Sequence, residues 1–208
     1  HDLAAGAGDD YLRYWAALSL GTSARMLGQP EVALANLQEA LSLAEAAGDP
    51  YRRSTALYQL SVLQLTLKNG PAALAASLAA YRDGDAARSA YAMVNGRIAE
   101  SAVMELLERP ARELAAMEEA LAFARTARSE VAEARALVNL SDIRLRRKQY
   151  AEALELARRS LQLSQSTGIP VLVATSKANA GFALLGLGRI AEGKRLTDES
   201  LTEYERTG

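Results

Sequence analysis

The sequence predicts an all-α fold, a solenoid built from about ten helices stacked as antiparallel pairs. Three observations carry this. Half of the 208 residues are hydrophobic but only 5% are aromatic, so the apolar content is mostly Ala and Leu, which favour helix over strand. The chain aligns with itself at a period of 40 residues without a gap, the mark of a repeat architecture. Proline and glycine fall where that period needs helix starts and ends.

Rows of 40 begin at Tyr11, Tyr51, Tyr91, Val131 and Val171. One column then reads Leu34, Leu74, Leu114, Leu154 and Lys194, and another Leu41, Tyr81, Leu121, Leu161 and Leu201. A third reads Ala40, Ala80, Ala120, Ser160 and Ser200. Gly21, Ser61, Ser101, Ser141 and Gly181 form a column of small residues. Ala33, Ala73, Ala153 and Gly193 form another, broken by Glu113. The expected domain plan is an N-terminal tail or remnant over 1–10, then one array over 11–208 with repeats 11–50, 51–90, 91–130, 131–170 and 171–208.

Each row holds two helices of roughly 16–18 residues joined by a tight turn. In row one, Pro30 opens the second helix, and Leu34, Leu37, Leu41 and Ala44 lie on one helical face. Pro50 opens the first helix of row two and Pro71 its second. Asp83-Gly84-Asp85 reads as a loop with a cap at Asp85, so that second helix is expected to end early. It has part of a calcium loop's spacing but not the remaining ligands. In row three, Pro110 opens the second helix, where Leu114, Met117 and Leu121 repeat the stripe. Arg97 and Glu100 fall at apolar positions of its first helix, so a shifted register is expected there. Row four repeats the stripe with Leu154, Ala157 and Leu161, and Pro170 opens row five. Gly28, Gly48, Gly168 and Gly188 sit at helix ends, where glycine takes a left-handed cap. A helix pair cannot bury its apolar stripe alone, so the rows stack.

The columns resemble the tetratricopeptide repeat, in which a Leu–small pair in the first helix is followed by an Ala early in the second and another seven residues on. Row one has Leu20-Gly21, Ala33 and Ala40; row two has Leu60-Ser61, Ala73 and Ala80; row four has Leu140-Ser141, Ala153 and Ser160. The period is 40, not the usual 34. This longer form is similar to repeats in bacterial signalling proteins, namely maltose-activator-like transcription regulators and diguanylate cyclases with a repeat-built sensor. The resemblance implies a right-handed superhelix, a cytoplasmic location, and a concave groove lined by the first helix of each row.

Composition limits the function classes. With 24 basic and 25 acidic residues, the chain lacks the basic surplus of a general nucleic-acid binder. It has no cysteine, and its single histidine is residue 1, which leaves no thiolate and no Ser–His pair. No run of roughly 18 apolar residues would span a membrane. The opening His1-Asp2-Leu3 reads as a piece of a longer protein, with His1 a cloning remnant. No catalytic residue, metal ligand or cofactor is expected. Glu118-Glu119, and Glu130 with Glu133, read as solvated helix faces. Arg144, Arg146, Arg147 and Lys148 read as a cationic helix end that complements the dipole.

The resemblance implies that a protein or peptide binds in the groove. The groove positions it gives are Trp15, Ser19, Thr22 and Met26 in row one and Thr55, Gln59, Val62 and Thr66 in row two. Row three gives Asn95, Ala99, Ala102 and Leu106. Row four gives Arg135, Asn139, Asp142 and Arg146, spaced i, i+4, i+7, i+11 on one helix face. Row five gives Thr175, Asn179, Phe182 and Gly186. Gln59, Asn139 and Asn179 share a column, and an amide both donates and accepts, which suits an extended peptide backbone. The alternative expectation is a homodimer through terminal repeats that leave Leu196 and Leu201 partly uncovered.

Overall fold

The computed structural model describes residues 2–207, with side chains from Asp9 to Arg206. His1 lies outside the described residues. Ten helices follow one another: α1 (Asp2–Met26), α2 (Pro30–Ala46), α3 (Pro50–Thr66), α4 (Gly70–Ala86), α5 (Ala90–Leu106), α6 (Pro110–Thr126), α7 (Glu130–Arg146), α8 (Tyr150–Thr167), α9 (Pro170–Gly186) and α10 (Ile190–Thr207). No strand occurs among the described residues. The fold is an all-α helical repeat solenoid, as its periodicity predicts. Helix α1 begins at Asp2, so the stretch 2–10 runs on into the first helix.

The turns follow a 20-residue rule. Left-handed backbone recurs at Gly28, Gly48, Lys68, Arg88, Glu108, Arg128, Lys148, Gly168 and Gly188. After each, the next residue's N–H donates to the carbonyl five residues back, from Gln29 to Ala24 through Arg189 to Leu184, at 2.8–3.2 Å. This is the Schellman closure, which satisfies carbonyls that a helix end leaves open. Five of the nine left-handed residues carry a side chain and bear a conformational cost of about 1–2 kcal/mol each. The next helix starts at once, with Asp49, Asn69, Ser89 and Ser129 capping it by accepting an N–H from the residue three positions on. The prolines occupy first turns, as expected.

The chain divides into two compact units, meeting between Glu113 and Leu114 inside α6. In the first, each of α1 to α5 packs on the next, and α3 also touches α1 and α5. Its core is built from Leu37, Ala40, Ala44, Leu60 and Leu63, with Ala73, Val103 and Met104 further along. In the second unit α7 to α10 pack in sequence and α7 touches α9, over a core of Ala153, Leu154, Ala157, Ala180, Ala183 and Leu184.

Serine and glycine set how closely the helices approach. Ser61, Ser101 and Ser141 each donate Oγ–H to the carbonyl twelve residues on (Ala73, Glu113, Ala153) at 2.8–3.2 Å. Gly181 takes this place in row five, where a Cβ would lie 2.7 Å from Thr197 Cγ2 and 3.0 Å from the Gly193 carbonyl oxygen. A second set spans 26 residues: Ser54 donates to Ala80, Ser160 to Ala134 and Ser200 to Ala174. Each buried hydroxyl is satisfied by a carbonyl of its partner helix, so small size and polarity are combined without an unpaired group.

Two expectations are corrected. Asp83-Gly84-Asp85 is not a loop, because α4 continues to Ala86 and Ser89 caps the next helix. Gly84 is there because α5 comes too close for a Cβ, which would sit 2.7 Å from Met93 N. Row three keeps its register, since α5 starts at Ala90 in phase with its neighbours. Its polar core residues pair instead. Glu100 is buried and bonds Arg97 on its own helix, and its Oε1 lies 2.8 Å from Arg112 Nη2. Arg97 stacks over Tyr81, 4.0 Å from the ring centroid.

Candidate functional site on the odd-numbered helices

Helix α7 has two faces. Leu137, Leu140 and Ile143 are buried. Arg135, Asn139, Asp142 and Arg146 lie on the other side, half-buried at the first two positions and exposed at the last two. Asn139 Nδ2 donates to its own helix at the Arg135 carbonyl, 2.8 Å away, leaving its second N–H and its oxygen for other partners. Arg146 Nε lies 3.1 Å from Asp142 Oδ2 in an exposed pair. Such a pair contributes only a few tenths of a kcal/mol.

Helix α9 packs on α7 and offers Thr175, Asn179 and Phe182 at equivalent positions. Asn179 is buried, and its Nδ2 donates to the Val138 carbonyl at 3.0 Å. Its amide therefore staples α9 to α7, a duty the sequence did not reveal. Thr175 Oγ1 bonds the Val171 carbonyl and meets the Tyr204 hydroxyl at 2.7 Å. Phe182 is 54% exposed, a large apolar ring turned to solvent.

In the first unit, α3 carries Thr55, Gln59 and Val62 half-buried and Thr66 exposed. In row three, Asn95 and Ala99 are buried, while Ala102 is half-buried and Leu106 exposed. Trp15 is half-buried, edge-on to Tyr14 at 5.0 Å and to Tyr11 at 6.2 Å, and Arg52 lies over both tyrosine rings. It anchors the first helix pair. Burial pushes the Tyr14 hydroxyl well above its ordinary pKa, and that hydroxyl donates to the Arg52 carbonyl at 2.9 Å.

Several other charged groups pair within the fold. Arg144 turns to the even side, reaching Glu152 at 3.3 Å and Gln149 at 2.9 Å. Glu133 pairs with Arg125, and Ser166 donates to Glu130. Among the described residues no group of three or more metal-ligating side chains comes together, and no helix is long and apolar enough to cross a membrane. The buried Arg97–Glu100–Arg112 cluster was missed by sequence reasoning. Its signal was Glu100 standing in a column otherwise filled by Leu20, Leu60, Leu140 and Ala180, with an arginine three residues before it.

No protein-family model matches the sequence, and no curated protein matches it either. Solved structures do. The apo form of RapI shares 11% identity with a TM-score of 0.69, over 93% of this chain and 71% of that one. Aspartyl phosphate phosphatase F from Bacillus subtilis shares 13% at 0.71, over 100% of this chain and 54% of that one. A STAND signal-transduction ATPase from Pyrococcus horikoshii with a tetratricopeptide repeat sensor shares 14% at 0.61, over 92% and 32%. The chain spans about half of the Bacillus protein and a third of the Pyrococcus one. The structures it resembles are tetratricopeptide-like repeat proteins, and the fold is theirs.

Proposed function

We propose that this chain is a protein-interaction and sensory scaffold module of a larger bacterial signalling or regulatory protein. It is a cytoplasmic binding module, not an enzyme, and it holds an extended peptide or the surface of a partner domain on the α7 and α9 face of its second unit. The observation that supports this best is Phe182, over half exposed, on a helix packed against the one that carries Arg135, Asn139, Asp142 and Arg146. An exposed aromatic beside a row of charged and amide side chains is the composition of a binding hot spot. Thr175 offers a hydroxyl on α9; in the first unit, Gln59 presents an amide on α3 as a separate contact. Asn179 supports the face from beneath. The signalling context draws on the likeness to the Bacillus aspartyl phosphate phosphatase and the Pyrococcus signal-transduction ATPase with its repeat sensor.

The test is a pull-down from source lysate with the wild type and a Phe182→Ser, Arg146→Glu variant. Light scattering and circular dichroism confirm equal mass and helicity. A partner retained by the wild type and lost by the variant supports the reading. Equal retention by both sinks it.

A further inference from the structure

The repetition of the fold tests each of its surfaces against the others. In α3, α5, α7 and α9, four positions face the preceding even helix. They are Arg52, Ala56, Leu60 and Leu63 in α3, and Ala132, Ala136, Leu140 and Ile143 in α7. All are buried except Arg52, which is half-buried. The same four positions in α1 are Leu12, Ala16, Leu20 and Ser23, and all are exposed, Leu12 at 67% and Leu20 at 59%. Met26 and Leu27 extend this stripe at 75% and 74%. Its spacing, i, i+4, i+8, i+11, is one helical face.

Helix α10 shows the converse. Leu201 occupies the column of Leu41, Tyr81, Leu121 and Leu161, none of which is exposed, yet it is 59% exposed itself. Tyr204 replaces the buried Ala44, Gly84, Ala124 and Ser164, and is 41% exposed. Ile190 is 51% exposed.

The internal contacts supply a register for bringing these two faces together. Tyr81 packs where a Cβ on Gly96 would stand, at 2.6–2.9 Å, and Gly84 lies against Ala92 and Met93. Tyr150 abuts Gly186 in the same way. Moved to the ends of the array, these pairings place Leu201 on Ala16, Tyr204 on Leu12, and Ile190 on Met26. The exposed apolar residues of α10 thus each meet an apolar partner on α1, large against small at Ala16. The antiparallel order also sets Arg206, 74% exposed in its side chain, beside the exposed Asp9 and Asp10. Two entries on α10 are polar: Thr197 falls opposite Leu20, and Lys194 falls opposite Ser23, with a stem long enough to lie across apolar surface while its ammonium stays in water.

We infer that α10 of one copy docks on α1 of a second copy, head to tail, continuing the packing that runs inside each chain. The contact is heterologous, so each copy keeps one free end for the next. It uses neither Phe182 nor the α7 face and stands independently of the binding reading above.

The test is light scattering across a concentration series with the intact chain, Leu20→Glu, Leu201→Glu, and an equimolar mixture of the two variants. Both substitutions are at exposed sites, and circular dichroism checks that helicity is unchanged. The wild type is expected to gain mass with concentration beyond a dimer. Each variant alone stays monomeric, and the mixture forms a 1:1 dimer and nothing larger, because it retains one intact α1 face and one intact α10 face. Association of Leu201→Glu alone means α1 pairs with α1, and association of Leu20→Glu alone means α10 pairs with α10. Either overturns the proposal. A wild type that is monomeric throughout overturns it too, and assigns these faces to other proteins or to further repeats.

Discussion

Replacing glycine by alanine inside a helix ordinarily stabilises it by about 1 kcal/mol, because alanine has the higher helix propensity. At Gly96 the structure reverses that sign. A Cβ there would lie 2.6 Å from Tyr81 N, 2.7 Å from Tyr81 Cα and 2.9 Å from Tyr81 Cβ. Two of these are backbone atoms and cannot swing aside. Reaching ordinary van der Waals contact requires α4 and α5 to separate by about 0.8 Å, and a gap of that size forfeits about a quarter to a half of each dispersion contact around it. Overpacking of this kind costs about 1–3 kcal/mol, and a backbone clash belongs at the upper end. After the propensity gain, Gly96→Ala should destabilise by about 2 kcal/mol. With a urea slope of about 2 kcal/mol/M, the midpoint of the first unit falls by about 1 M, read by circular dichroism. Gly70→Ala is the control, since its nearest neighbour is the movable tip of Leu107 at 3.1 Å; its midpoint should stay within about 0.3 M on the same slope. A midpoint for Gly96→Ala that rises or holds would refute the close approach of α4 and α5.

Three further predictions follow from the turns and the polar core. Lys148→Gly, at φ 58°, removes about 1–2 kcal/mol of left-handed strain and adds about 0.5–1 of chain entropy cost, so thermal melts should show a gain of about 0.5–1 kcal/mol. Glu100→Leu restores the residue type of its column but strands the half-buried Arg97, and should cost about 2–4 kcal/mol; Arg97→Leu on top should recover much of it in a double-mutant cycle. Asp49 caps α3 and pairs with Arg52 at 2.8 Å. Burial pushes its pKa up, but the Arg52 N–H and guanidinium outweigh this and hold it below the usual carboxylate value. A depressed native pKa means the stabilisation is present above the unfolded pKa. Asp49→Ala should therefore cost about 1 kcal/mol at neutral pH, and urea titrations should show the difference vanish as pH falls through the native Asp49 pKa.

The fold was legible because two periodicities reinforce each other. The apolar stripe gives the helix faces, and Pro30, Pro50, Pro71, Pro110 and Pro170 mark the starts. Glycine gave only four of the nine turns. The others carry Lys, Arg or Glu, and their left-handed backbone is imposed by the Schellman closure, not by residue type. Gly84 was misread for a related reason. A glycine between two aspartates has the local chemistry of a turn, and only the tertiary approach of α5 keeps it helical. Glu100 was read as a register fault because its compensation lies partly twelve residues away, at Arg112. The odd-helix face was visible as a spacing on α7, but that Asn179 is consumed by the Val138 carbonyl depends on how α9 crosses α7, which no single-helix pattern encodes.

The measurement that bears most directly on the proposed function is the affinity of peptides selected on this chain. A displayed random library would be panned on the wild type, and the dissociation constants of the winners measured by titration calorimetry. Three proteins would be compared: wild type, Phe182→Ser with Arg146→Glu, and an even-side control, Arg158→Glu with Arg159→Glu, both exposed positions on α8. Loss of a hot-spot aromatic and one charge, each worth about 1 kcal/mol or more, weakens binding by at least tenfold. The account predicts that loss in the odd-face variant and unchanged affinity in the even-side control. Equal affinity for all three, or loss only in the even-side control, would contradict it.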